Sequence, residues 1–397
     1  MKKYIIPILL MYFLSSCSEK NTPKPANVPL WKPINKPISF YAEHGYGYEP
    51  EVFFSKDGRT LMTRDNFKEI DTAYEESHAL VYTLSENTDW QPFGASEIDS
   101  AYFGTGRVFN MSHNGNRLMI SDEMGYDSVV TKTFDRTDRG WEAVSFQIGE
   151  KLRRLKLSAD GSTMVAYSDL NGTNTSQLRV FTYDSGNWVP KGDSIPVQDI
   201  EFDIGRSVSW DHVSLNWDGS LLAVGNPYTD VNGTHSGKVT LYKFENGRWS
   251  HYGNTLFGSF PYHYFGEKII FKDSGSELLI RASSRDYNAN TKFYIFKDNI
   301  WKDDTRYTDI ENLTGEIYRY SEDGQTLLTT KTDLKYVYGW PDHVYVYQHA
   351  NDGWELKAYI DELPGEVQEF EMNDDETLLN ILFTEYTKKF ILTYRKP

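Results

Sequence analysis

A single cysteine in 397 residues excludes any intrachain disulfide, so packing alone must hold this chain together. Positive charge is also scarce. The 41 Lys and Arg residues stand against 57 Asp and Glu, and the resulting net charge of −16 repels phosphate backbones, which argues against a nucleic-acid partner. No apolar run approaches the roughly 20 residues that a spanning helix requires. Catalytic signatures are missing too: the sequence contains no H-E-x-x-H, no G-x-S-x-G, no phosphate-cradling glycine loop and no paired cysteines for zinc. The nine histidines are scattered, and no spacing among them forces two onto one metal.

What the chain does have is aromatic residues and internal repetition. Aromatics make up 15% of it, with 28 Tyr and 22 Phe, and flat rings suit the pleated surface of a sheet. The stretch Val213–Trp249 is the clearest repeat: an alternating strand, an Asp218-Gly219 turn, a second strand ending at Pro227 and a third carrying Val239, Leu241 and Phe244. Its turn recurs at Ser55–Met62, Ser112–Met119, Ser158–Val165, Lys272–Leu279 and Ser321–Leu328, with a seventh copy at Met372–Leu379 in which Asp375 takes the glycine's place. The turn positions 58, 115, 161, 219, 275, 324 and 375 lie 46 to 58 residues apart, the length of a four-stranded blade. Glycine suits them because such turns require positive φ.

A second series of seven runs in parallel: Trp31, Trp90, Trp141, Trp188, Trp249, Trp301 and Trp354, each predicted to open an outermost strand and cover its blade with apolar area. The two series are offset. Trp31 precedes every turn copy, while the last copy ends without a tryptophan, so a strand near 30–36 is expected to complete the final blade and close the ring. Pro33 and Pro37 are tolerable on such an edge. The fold class that follows is all-β, a seven-bladed β-propeller occupying 38–397.

The N-terminus has its own logic. Lys2 and Lys3 precede the apolar run Tyr4–Leu14, and small residues follow, the pattern of a signal peptide over 1–17. Leu14-Ser15-Ser16-Cys17 resembles the lipobox of bacterial lipoproteins, which implies a lipidated Cys17 and membrane attachment without a spanning helix. Residues 18–37, with Pro23, Pro25, Pro29, Pro33 and Pro37, read as an extended tether. The expected address is a bacterial cell envelope, at the outer membrane.

The turn followed by a V-x-x-Y-x-F strand resembles both WD40-like periplasmic propellers and FG-GAP-type repeats. Gly205–Pro227, with its Ser-Val-Ser strand and Ala223-Val224-Gly225-Asn226-Pro227 ending, is similar to the FG-GAP pattern, as are Gly94, Gly192 and Gly253 four residues after a tryptophan. The D-x-D-x-D-G loops with which integrin-type relatives hold Ca²⁺ do not occur here. The resemblance implies a binding fold rather than a reaction.

Two kinds of candidate site remain. Asp169 with Asn171, and Asp230 with Asn232, have the D-x-N spacing that can offer oxygens to Ca²⁺, although Asp-Asn-Gly hairpin turns explain the same letters. Aromatic residues gather where loops of one rim should lie: Tyr102, Phe103, Trp210, Tyr262, Tyr264, Tyr336, Tyr338 and Trp340. Such rings can stack on a glycan or anchor a partner protein, or simply pack between blades. The expectation is a non-catalytic module that binds one or the other through its rim. The alternative is an envelope polysaccharide hydrolase or lyase with acids in the central channel, for which the sequence selects no carboxylate pair.

Overall fold

The computed structural model describes residues 31–41, 52–67, 76–86, 89–93, 108–124, 128–144, 152–169, 176–196, 212–272, 275–282, 290–305, 316–320, 326–332, 341–350, 353–360, 363–373, 375–385 and 388–396. The chain is a seven-bladed β-propeller of four-stranded antiparallel blades. Blades one to six lie in chain order within 52–92, 108–144, 152–196, 213–257, 265–303 and 316–360. Blade seven is composite: Glu366–Met372, Leu378–Glu385 and Lys388–Arg395 come from the C-terminus, and Lys32–Pro33 lies antiparallel on its outer side. Ile34 N–H extends that pairing by donating to Thr393 O at 2.8 Å, and Ile38–Tyr41 covers the rest of the same edge. Among the described residues no helix is long and apolar enough to cross a membrane.

The core is divided among the blade interfaces. Among the described residues, seven clusters of buried apolar side chains each join two neighbouring blades. The largest facing pairs are blades six and seven, around Trp31, Val346, Phe370 and Phe383, and blades four and five, around Val239, Leu241, Phe265 and Ile280. Between blades seven and one, Leu378, Leu382 and Ile391 meet Val52, Leu61 and Trp90. Each buried Leu, Ile, Val or Phe contributes about 1.5–3 kcal/mol, so adjacency of blades is the main source of stability.

The turn series works at these interfaces as well as within each blade. Ser55, Ser112 and Ser158 each accept, at Oγ, the backbone N–H five residues on, and Asn216 and Asn373 do so with Oδ1. That register corrects the seventh copy. Counting from Asn373, the residue in the glycine position is Glu376, which has φ of 57°, and not Asp375. Asp375 instead plays the part of Asp57, accepting the N–H of Thr377 as Asp57 accepts that of Arg59. At Gly219 the missing side chain matters twice: φ is 62°, and a Cβ would overlap the Thr163 side chain of blade three. Glu376 meets Thr326 of blade six differently, accepting its hydroxyl at 2.5 Å and the Gln348 amide at 3.2 Å.

Four of the tryptophans staple their blade to the one before. Trp188 Nε1 donates to Thr133 of blade two at 2.9 Å, and Trp90 Nε1 to Thr393 of blade seven at 3.0 Å, while Trp249 and Trp301 reach the carbonyls of Lys191 and Tyr252. Trp141 Nε1 is buried without a hydrogen-bond partner among the described residues, and the strand register places Val81 where Trp90 and Trp188 find a threonine. The expected outer-strand role of these residues thus acquires a polar half.

Candidate functional site

In an antiparallel blade the loop between second and third strands, and the connection from the fourth strand to the next blade, emerge at the same end. In blade four these are 227–237 and 258–264, and the structure locks them into one unit. Asn232 Nδ2 donates to Gly258 O at 2.7 Å, Gly258 N to Gly237 O at 2.9 Å, Tyr262 N to Thr234 O at 2.6 Å and Tyr264 N to His235 O at 3.0 Å. Within the first loop, Asp230 Oδ1 accepts the His235 N–H at 2.6 Å, and Ser236 Oγ accepts those of Val231 and Asn232. Below them Gly225 and Gly266 touch backbone to backbone, since a Cβ on Gly225 would overlap the Gly266 carbonyl.

The outcome is a rigid aromatic cluster. His235 lies 5.5 Å from the Tyr228 ring, 5.8 Å from Tyr262 and 5.7 Å from Tyr264, with the first two edge-on to it. Edge-to-face contacts of this length are favourable by about 0.5–1.5 kcal/mol each between aromatic rings. Three of the four ring-bearing residues are left-handed: His235 at φ 52°, Tyr262 at 59° and Tyr264 at 49°. Such backbone costs on the order of 1–2 kcal/mol per residue with a Cβ, and strain of this kind gathers where a surface must be held in one shape. His235 Nδ1 is buried with no hydrogen-bond partner among the described residues.

Beside this cluster, five of the seven large hydrophobic residues exposed among the described residues fall in one stretch of chain: Tyr228, Val231, Phe257, Phe260 and Tyr262, at 36–47% exposure. Across 227–237 and 257–266 the one Asp, Glu, Lys or Arg is Asp230. A patch rich in Tyr and Phe and depleted in charge, on a chain of net charge −16, has the composition of an interface core.

His263 anchors the patch from beneath. It is 2% exposed, its Nδ1 accepts the Ser259 N–H at 3.1 Å, and its ring lies 4.2 Å from Phe260. Burial, and secondarily the charge of Lys292, holds its pKa below the usual histidine value. The folded chain therefore binds this proton more weakly than the unfolded chain, whose imidazole titrates near about 6.5. The stability it contributes is complete above that pH and is lost as pH falls below it, at up to about 1.4 kcal/mol per unit. His263→Gln is expected to flatten the dependence of the urea midpoint between neutral and mildly acidic pH; a slope identical to that of the parent chain would contradict this.

Tyr262 and Tyr264 are thus brought together, with Tyr228 and His235 joining them unforeseen. Asp230 and Asn232 lie in the same loop, where the Asp230 carboxylate holds the His235 N–H and the Asn232 amide holds Gly258 O. Asp169 ends the strand Thr163–Asp169, its backbone paired with Ser176. Cys17, Tyr102, Phe103, Asn171, Trp210, Tyr336, Tyr338 and Trp340 lie outside the described residues. No three His, Cys, Asp or Glu side chains among the described residues are grouped to hold a metal ion.

No family model and no curated protein matches the sequence. Solved structures do match its shape. The β-propeller domain of Cps50 (Swd1) from Myceliophteria thermophila superposes with a TM-score of 0.50 at 11% identity, covering 91% of this chain and 100% of that one. The β-propeller domain of the Trilobed protease from Pyrococcus furiosus, described as having an open velcro topology, gives 0.53 at 12% identity over 89% of this chain and 94% of its own. At such identities the likeness is one of fold, and the chain is similar to these domains as a β-propeller.

Proposed function

We propose that the chain is a non-catalytic binding lipoprotein of a bacterial cell envelope, which presents the loop rim of blades four and five to a partner protein. The observation that carries this reading is the uncharged, exposed patch of Tyr228, Val231, Phe257, Phe260 and Tyr262 set on a strained, hydrogen-bonded base. Rigid tyrosines supply contact area at little entropic cost. A glycan stacked on the same rings is the competing ligand, and the Phe and Val content of the patch favours protein.

The test is recovery of binding partners from envelope extract, in parallel with a glycan array, using the intact chain and a Tyr228→Ala/Tyr262→Ala variant. A partner held by the first and lost by the second supports the reading. Binding that the variant retains removes this rim from consideration. The lipid anchor has its own check: Cys17→Ala is expected to shift the chain from the membrane to the soluble fraction, and unchanged membrane association would contradict acylation at that residue.

A further inference from the structure

The opposite face of the propeller carries the Asp-Gly turns, and two contacts there skip blades. Lys56, in the turn of blade one, places its ammonium 4.4 Å from the ring centroid of Trp217, in the turn of blade four. In a ring of seven, three steps is the greatest separation two blades can have, so this contact runs across the axis. His113 of blade two reaches past blade one, with Nε2 3.6 Å from Oε1 of Glu371 in the inner strand of blade seven. Neither pair can form around the outside of the ring. The backbones beneath are fixed turn to turn: Lys56 N donates to His113 O at 2.5 Å, Asn114 N to Ala159 O at 2.9 Å and Asp160 N to Trp217 O at 3.0 Å.

We propose that Lys56 and Trp217 close the turn-side mouth of the central channel, so that any ligand of the channel enters and leaves through the loop rim. An ammonium over an indole face is a directional attraction, and the turn ladder holds both half-buried partners in place. The arrangement gives the molecule a closed face and an open face. It excludes threading of a linear polymer through the axis, and leaves a chain terminus or a side branch, inserted from the loop side, as the ligand class a channel site would take. It stands independently of what the aromatic patch binds.

The direct test is a Lys56→Cys/Trp217→Cys double variant of the full chain, treated with a short thiol cross-linker and mapped by mass spectrometry. An intramolecular link between positions 56 and 217 is expected in a chain whose circular dichroism matches the parent; a correctly folded chain without that link overturns the proposal. Should the double variant not fold, the parent chain still decides. Lys56 is expected to react with an amine-acylating reagent several-fold more slowly than exposed Lys36, and Trp217→Ala to abolish the difference. Equal reactivity of the two lysines in the parent chain overturns the proposal.

Discussion

Trp31→Ala is expected to destabilise the chain by about 3–5 kcal/mol, the usual cost of emptying an aromatic site in a core. The indole is 3% exposed and sits among Val346, Ala358, Phe370 and Tyr394, between blades six and seven. It also leads directly into Lys32–Pro33, the strand that flanks the C-terminal edge. Next along, Asn35 donates to Thr393 Oγ1 at 3.2 Å and accepts the Thr393 N–H at 3.0 Å, while the same hydroxyl receives Trp90 Nε1 from blade one. Losing Trp31 therefore loosens a junction of three blades rather than one side chain. Urea unfolding followed by circular dichroism reads the effect, and an unchanged midpoint would show that the N-terminal strand is dispensable to the ring.

Gly225→Ala is expected to cost on the order of 3 kcal/mol, at the upper end of overpacking effects. The new methyl would overlap a backbone carbonyl, that of Gly266, and a backbone cannot rotate aside as a side chain can. Relief requires blade five to move away from blade four, which pulls apart Val239 and Phe265 below and the paired loops above. The substitution should thus weaken rim binding together with stability, whereas Tyr228→Ala should affect binding alone. A midpoint shifted by less than about 1 kcal/mol, the average for any substitution, would mean that the blades are not in hard contact there.

The scaffold was readable because its devices are local. A Ser or Asn three residues before a turn glycine, and a tryptophan opening each fourth strand, are visible as letters at near-constant spacing. Aligning the seventh copy on its acidic residues and following leucines puts Asp375 in the place that Glu376 takes. Anchoring on Asn373, the counterpart of Ser55, would have set the register, because that side chain must accept a hydrogen bond five residues on. The rim was only half readable. Tyr262 and Tyr264 stand out as letters, but the left-handed backbone at His235, Tyr262 and Tyr264 leaves no mark in non-glycine letters, and Tyr228 merely follows the strand expected to end at Pro227. The available signal was an absence: two loops of one blade nearly free of charge in a strongly acidic chain. Lys56 and Trp217 were invisible for another reason, since their contact depends on the closed geometry of the ring.

If the aromatic rim is the working surface, the channel and the turn face are scaffold, and specificity resides in a few rings held by Asp230, Asn232 and Ser236. The measurement that tests this most directly is the affinity of a partner recovered with the intact chain, determined side by side for that chain, Tyr228→Ala/Tyr262→Ala and Ile300→Ala. Ile300 is as exposed as Tyr228, at 43%, but lies on the outer strand of blade five. The predicted result is a loss of roughly 30-fold or more in the tyrosine variant, as for an interface hot spot, with Ile300→Ala binding like the parent. Equal affinity of all three chains would contradict the assignment of the rim.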